Sequence, residues 1–126
     1  MSKIYVSWED ISRYVAEVKD RYSEENLTGV YGIPRGGAVL AVMVSHALNI
    51  PTLAAPCKGC LVVDDICDTG ESLLHFMKNT SGEESNGYHI ATVYYKENAL
   101  GIKPEYYSHL KGNDWIVFPW EMEEYL

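Results

Sequence analysis

The sequence predicts an α/β fold, a mainly parallel sheet flanked by helices, and two junctions carry that prediction. At each, a short apolar stretch runs into a turn and then into a helix-like segment. Gly29–Ile33 leads into Pro34–Gly37 and Ala38–Leu48, and Cys60–Val63 leads into Asp64–Gly70 and Glu71–Met77. A third strand-like run, Tyr88–Tyr95, follows, so strands and helices alternate, as in a sheet built with crossover helices. The 126 residues, 47% of them hydrophobic, suit one domain (residues 1–126) with a single modest core.

Taken in order, Lys3–Val6 reads as a short edge strand. Ser7 then stands as a helix cap, with Asp10 three residues on in the capping-box position. Ile11, Tyr14, Val15, Val18 and Tyr22 recur at helical spacing, leaving Glu17, Lys19, Asp20 and Arg21 on the outer side. Gly29–Ile33 is the first core strand, and the small apolar helix Ala38–Leu48 ends at Asn49-Ile50-Pro51. Thr52–Ala55 is expected to form the next strand. Ser81–Gly87 is a polar surface loop, and Tyr88–Tyr95 is a sheet strand that stops at Lys96. Glu105–Leu110 reads as a short strand, and Asp114–Glu121 is aromatic and apolar before an acidic end.

Charge and cysteine usage narrow the partners. A net charge of −8 argues against a nucleic-acid groove or an anionic membrane surface, since both need clustered cations. No apolar run approaches the ~18 residues that a membrane span requires, and the N-terminus lacks a signal-peptide core, so a cytoplasmic protein is expected. Three cysteines agree with a reducing compartment. Cys57-x-x-Cys60 has no second pair to complete a zinc site, and the four histidines are scattered singly.

The chemistry concentrates at the two junctions. Asp64, Asp65 and Asp68 fall just beyond the end of a buried strand, where ligands of open α/β sheets sit. The backbone N–H groups of Thr69, Gly70, Glu71 and Ser72 open a helix and offer an anion site, with the Glu71 side chain facing outward. At the other junction, Gly36 and Gly37 allow close approach of a ligand, and Arg35 offers a planar fork of donors for phosphate oxygens. Plainer readings stand beside these. Adjacent acids can make a solvated turn, Asp68 can cap the following helix, and Pro-Arg-Gly-Gly can be an ordinary turn with a surface arginine. Hydroxyl-binding acids beside an anion-binding turn favour a phosphorylated sugar.

Four apolar residues, two acids and the string Asp65-Ile-Cys-Asp68-Thr69-Gly70-Glu71-Ser72 resemble the phosphoribosyl-pyrophosphate (PRPP) motif of type I phosphoribosyltransferases. Pro34-Arg35-Gly36-Gly37 is similar to that family's pyrophosphate loop, where the peptide entering the basic residue is often cis. Lys96, closing a strand, and Trp115-Ile-Val-Phe-Pro-Trp120-Glu121 resemble the purine-binding end of bacterial xanthine-guanine enzymes. The resemblance thus spans about Gly29 to Glu121 and implies a Rossmann-like core.

It also implies transfer of the phosphoribosyl group from PRPP, with Mg²⁺ as cofactor, to a 6-oxopurine, releasing pyrophosphate. On this sequence Asp64 and Asp65 would hold the ribose hydroxyls and position the metal, and Asp68 would be the general base at the purine. Thr69 to Ser72 would cradle the 5′-phosphate, Arg35, Gly36 and Gly37 the pyrophosphate, and Lys96, Trp115 and Ile116 the purine. A homo-oligomer, dimer or tetramer, is implied as well. A sensor that binds PRPP or a nucleotide without catalysis is the alternative. One departure favours it: the family's flexible hood loop is reduced here to Pro56-Cys-Lys-Gly-Cys60, which is expected to leave Ala54, Ala55 and Leu61 beside a wet cleft.

Overall fold

The structure, a computed structural model, describes residues 2–78 and 87–121. Most of the polar loop expected at Ser81–Gly87, and the acidic end beyond Glu121, lie outside the described residues. The elements run β1 (Lys3–Tyr5), α1 (Trp8–Tyr22), β2 (Val30–Gly32), α2 (Gly36–Leu48), β3 (Leu61–Cys67), α3 (Glu71–Lys78), β4 (His89–Tyr95), β5 (Tyr106–Leu110) and β6 (Trp115–Val117). A 3₁₀ turn, Pro119–Glu121, follows β6.

The main sheet has four strands in the order β2-β3-β4-β5, every neighbouring pair parallel. With parallel strands in chain order, all carboxyl ends fall on one edge, and that edge gathers the turns after β2 and β3. A separate two-stranded parallel sheet joins β1 to β6, with Ile4 opposite Ile116. It ties the N-terminus to the aromatic end of the chain.

Helix α1 starts as expected. The Ser7 hydroxyl accepts from the Asp10 N–H at 3.0 Å, and the Asp10 carboxylate accepts from the Ser7 N–H at 2.9 Å, closing a capping box. Its buried stripe is Ile11, Tyr14, Val15, Val18 and Tyr22, packed with Leu40, Ala41 and Val44 of α2 and with Val30, Leu61 and Val63 of the sheet. Each such aliphatic side chain contributes roughly 1.5–3 kcal/mol on burial. A smaller cluster joins Leu73 of α3 to Cys67 and Tyr95. Asn49 ends α2 in the left-handed conformation at φ 54°.

Two expectations are corrected. Thr52–Ala55 forms no strand; Thr52 makes a single bridge to Val30, whose N–H donates to the Pro51 carbonyl at 2.9 Å. Prolines at 51 and 56 bracket this stretch and cannot donate to a ladder, so pairing stops after Leu53 donates to the Val30 carbonyl. Leu61 is not beside a wet cleft. It is fully buried in β3, opposite Val30 and His89 at the amino ends of the strands.

Candidate active site

The turns after β2 and β3 pack directly on one another. Ile33 donates its N–H to the Val63 carbonyl at 2.9 Å, and Gly37 donates to Ile33 at 2.8 Å, which swings the start of α2 over β3. The Pro34–Arg35 peptide is cis, as the resemblance implied. Glycine is required here by contact: a Cβ on Gly36 would collide with the Asp65 carboxylate, and one on Gly37 with the Val63 carbonyl. The glycine loop and the acidic strand end therefore form one surface.

That surface borders a cleft of about 690 Å³, lined by Arg35, Gly36, Asp64, Asp65 and Ser72 on one side and by Trp120 and Glu121 on the other. Asp64 is buried, and its carboxyl accepts from the Asp65 N–H at 2.9 Å. Burial above all, and then the adjacent Asp65 charge, push Asp64 up to about 8. A carboxyl raised in this way calls for a cation or donors. Asp65 accepts from the Ile66 N–H at 2.8 Å through Oδ1, and its Oδ2 faces Gly36 in the cleft. Among the described residues no cluster of three or more His, Cys, Asp or Glu could hold a metal by itself. Two carboxylates completed by substrate oxygens fit Mg²⁺, which keeps part of its shell for phosphates and water.

The raised Asp64 has a consequence for stability. In the unfolded chain the group titrates near 3.8, and in the folded protein near 8. Below pH 4 both states hold the proton and the group contributes nothing. Between these values only the unfolded chain releases it, so stability falls as pH rises and levels off above 8. Asp64→Asn removes that loss and should raise the melting midpoint of the ligand-free protein by roughly 5 °C or more at pH 7.5. At pH 4 the two proteins should melt together. Parallel midpoint curves across the range would refute this account of Asp64.

Thr69, Gly70 and Ser72 line a small pocket of about 70 Å³ at the start of α3, which Asp68 also lines. The Thr69 hydroxyl, rather than Asp68, accepts the Glu71 N–H, at 3.2 Å. Gly70 has a positive φ of 86°, and a Cβ there would meet the Asn98 side chain at 2.8 Å. Asn98 in turn knots the turn after β4, donating to Ile102 O at 3.0 Å and accepting from the Leu100 N–H at 3.1 Å.

A third pocket, about 200 Å³, is lined by Asp65, Asp68, Lys111, Trp115, Ile116, Phe118 and Glu121. Lys111 makes an ion pair with Asp68 at 3.2 Å, its side chain only 10% exposed. Trp115 is 56% exposed and Ile116 is buried. Lys96 lines none of these pockets: its Nζ donates to the side-chain Oδ1 of Asn113 at 3.2 Å. The structure thus brings together Arg35, Gly36, Asp64, Asp65, Asp68, Ser72, Trp115 and Ile116, and leaves Lys96 to one side.

Sequence reasoning missed Lys111, Asn98 and the cleft-facing position of Trp120, which stacks on Phe118 at 5.0 Å. Lys111 had a legible signal, since it closes β5 as Lys96 closes β4. Of the remnant Pro56–Cys60, Pro56 lines a cavity of about 450 Å³ with Ile33, Pro34 and Ser72 next to the cleft, while the residues after it are held away from the site. Thr28, which precedes β2, donates to Gly59 O and Lys58 O, both at 3.1 Å, so the turn lies at the amino edge of the sheet.

Fold and cleft together define an α/β domain of the type I phosphoribosyltransferase class. Residues 55–125 match the phosphoribosyl transferase domain family, and the chain belongs to it. It is 30% identical to the xanthine-guanine phosphoribosyltransferase of Cereibacter sphaeroides, over 94% of this chain and 86% of that protein. The enzyme of the same name from Idiomarina loihiensis is 29% identical over 95% and 88%. That alignment spans 146 positions, 20 more than the 126 residues of this chain, so the relative carries at least that many residues without a counterpart here. The purine phosphoribosyltransferase of Pyrococcus horikoshii superposes with a TM-score of 0.82 at 26% identity, over 95% of this chain and 94% of that one. The Helicobacter pylori xanthine-guanine-hypoxanthine enzyme, at 20% identity, shares the fold with a TM-score of 0.80 over 98% and 96%.

Proposed function

We propose that the protein transfers the phosphoribosyl group of PRPP to a 6-oxopurine (guanine, xanthine or hypoxanthine) and releases pyrophosphate. The observation that carries this reading is the convergence of Arg35, Gly36, Asp64, Asp65 and Ser72 on one cleft beside the pocket of Asp68, Trp115 and Ile116. Asp64 and Asp65 hold the ribose hydroxyls, Thr69 to Ser72 bind the 5′-phosphate through backbone N–H groups, and Arg35 with Gly36 and Gly37 takes the pyrophosphate. Asp68 accepts the proton from the purine nitrogen as that nitrogen bonds to the ribose carbon. Mg²⁺, when held by the Asp64–Asp65 pair and PRPP oxygens, supplies positive charge that offsets the departing pyrophosphate.

Trp115 offers the stacking face for the base. Trp115→Leu keeps an apolar side chain and removes that face, so purine affinity should fall by about 1 kcal/mol while PRPP affinity holds. Titration of both ligands by calorimetry reads the difference, and equal losses for both would count against the stacking role.

The direct test is incubation with PRPP, Mg²⁺ and each purine in turn, with nucleotide and pyrophosphate measured together. Nucleotide formation is the expected result. The shortness of the Pro56–Cys60 turn, whose Lys58 and Gly59 are anchored to Thr28, favours a second reading, a PRPP- or nucleotide-binding regulator. PRPP binding without product from any purine would select that reading.

A further inference from the structure

The purine-side pocket is rich in negative charge. Asp65, Asp68 and Glu121 line it, and among the described residues that line it Lys111 is the one cation. Lys111 is placed by the sheet. It follows β5 directly, and its backbone N–H donates to the Tyr95 carbonyl at 2.8 Å, fixing the residue beside the carboxyl end of β4. Its ammonium group carries three donors. The ammonium forms an ion pair with Asp68 at 3.2 Å and donates to the Gly112 carbonyl at 3.3 Å, which leaves donor capacity unmatched among the described residues.

A cation with 10% of its side chain exposed, set in a pocket beside an open tryptophan face, favours a negative or oxygen-rich partner. An ammonium has no acceptor, so it matches ring carbonyls and ring anions and opposes amino groups. The 6-oxopurines differ in this respect. A 2,6-dioxopurine sheds a ring proton to solvent near neutral pH and spreads the charge over its oxygens and nitrogens, whereas hypoxanthine stays neutral. Without Lys111 such an anion would enter a pocket lined by three carboxylates, and like charges at that range repel strongly in a partly desolvated site.

We infer that Lys111 is a specificity-determining residue: through its unmatched donor and its charge it selects purines that bind as anions, the 2,6-dioxopurines, over neutral 6-oxopurines. This rests on the transferase reading above and names the substrate preference of that same pocket. Asp68 supplies the other half of the arrangement. It holds Lys111 beside the pocket through the ion pair at 3.2 Å, and in return is held by it.

The test compares kcat/KM for xanthine and for hypoxanthine, with saturating PRPP and Mg²⁺, in the parent, Lys111→Met and Lys111→Arg. The ratio is internal to each protein, so general damage to the fold lowers both numbers and leaves the ratio alone. Lys111→Met should shift the ratio against xanthine about tenfold, the scale of one charge-assisted contact, and Lys111→Arg should stay near the parent. A ratio unchanged in Lys111→Met overturns the inference. So does a Lys111→Arg that behaves like Lys111→Met, since bulk rather than charge would then be responsible. If the parent converts no purine, the transferase reading fails first, and the same ratio is read from calorimetric binding of xanthosine and inosine monophosphates. A tenfold shift there in Lys111→Met alone supports the charge selection, and no shift overturns it.

Discussion

Replacing Asp64 and Asp65 together by asparagine should abolish Mg²⁺-dependent binding of PRPP, weakening it at least a hundredfold, while the protein stays folded. Two charge-assisted interactions are lost, each worth roughly 1.5–3 kcal/mol, and tenfold in affinity corresponds to about 1.4 kcal/mol. The fold survives for a reason specific to this site. Asp64 is buried and pushed up to about 8, so its charge is a burden on the ligand-free protein rather than a support. Asparagine keeps an oxygen able to accept from the Asp65 N–H, the contact now seen at 2.9 Å. Melting curves and calorimetric titration, run on the same preparation, separate the two effects. A well-folded double variant that binds PRPP like its parent would sink the assignment of the acidic strand end as the sugar site.

Asp68→Asn should lower kcat by about 10²–10⁴-fold, the usual range for a general base, with PRPP affinity changed less than about threefold. Asp68 lines the pocket of Trp115 and Ile116 together with Lys111 and borders the small pocket of Thr69, Gly70 and Ser72, whereas the cleft that joins Arg35, Asp64 and Asp65 does not include it. Asparagine preserves the shape of the turn, and the N–H of Glu71 is already satisfied by Thr69. The Lys111 ammonium, however, loses its carboxylate partner, so the variant should stay folded but melt below the parent. Single-turnover measurements isolate the chemical step from product release. Retention of more than about a tenth of the parent rate in that step would assign Asp68 to structure and leave the proton acceptor elsewhere.

Much of this protein can be read without coordinates, because much of it is local. The capping box of Ser7 and Asp10, the buried stripe from Ile11 to Tyr22 and the stop at Asn49 depend on residues within a turn or two of one another. The acidic strand end and the glycine loop are legible for the same cause. Each is a short contiguous piece whose backbone presents N–H groups or accepts close contact, and proximity along the chain guarantees proximity in space. Their meeting in one cleft followed from strand order, which strand–helix alternation already implied.

What stayed hidden depends on contacts between distant segments. Thr52–Ala55 has strand-like residues, yet it lies between prolines and gains one bridge only. Lys96 and Lys111 close neighbouring strands, and nothing within either segment says which ammonium reaches the acids. The β4–β5 register, with Tyr95 opposite Leu110, sets Lys111 beside Asp68, while Asn113 draws Lys96 away. Trp120 and Glu121 reach the cleft because β6 pairs with β1 rather than with the main sheet. Hydrogen-bond periodicity and turn chemistry act over a few residues and were determined by the sequence alone. The choice of which charged side chain faces which pocket is made by parallel pairing across the sheet, and only the tertiary structure decided it.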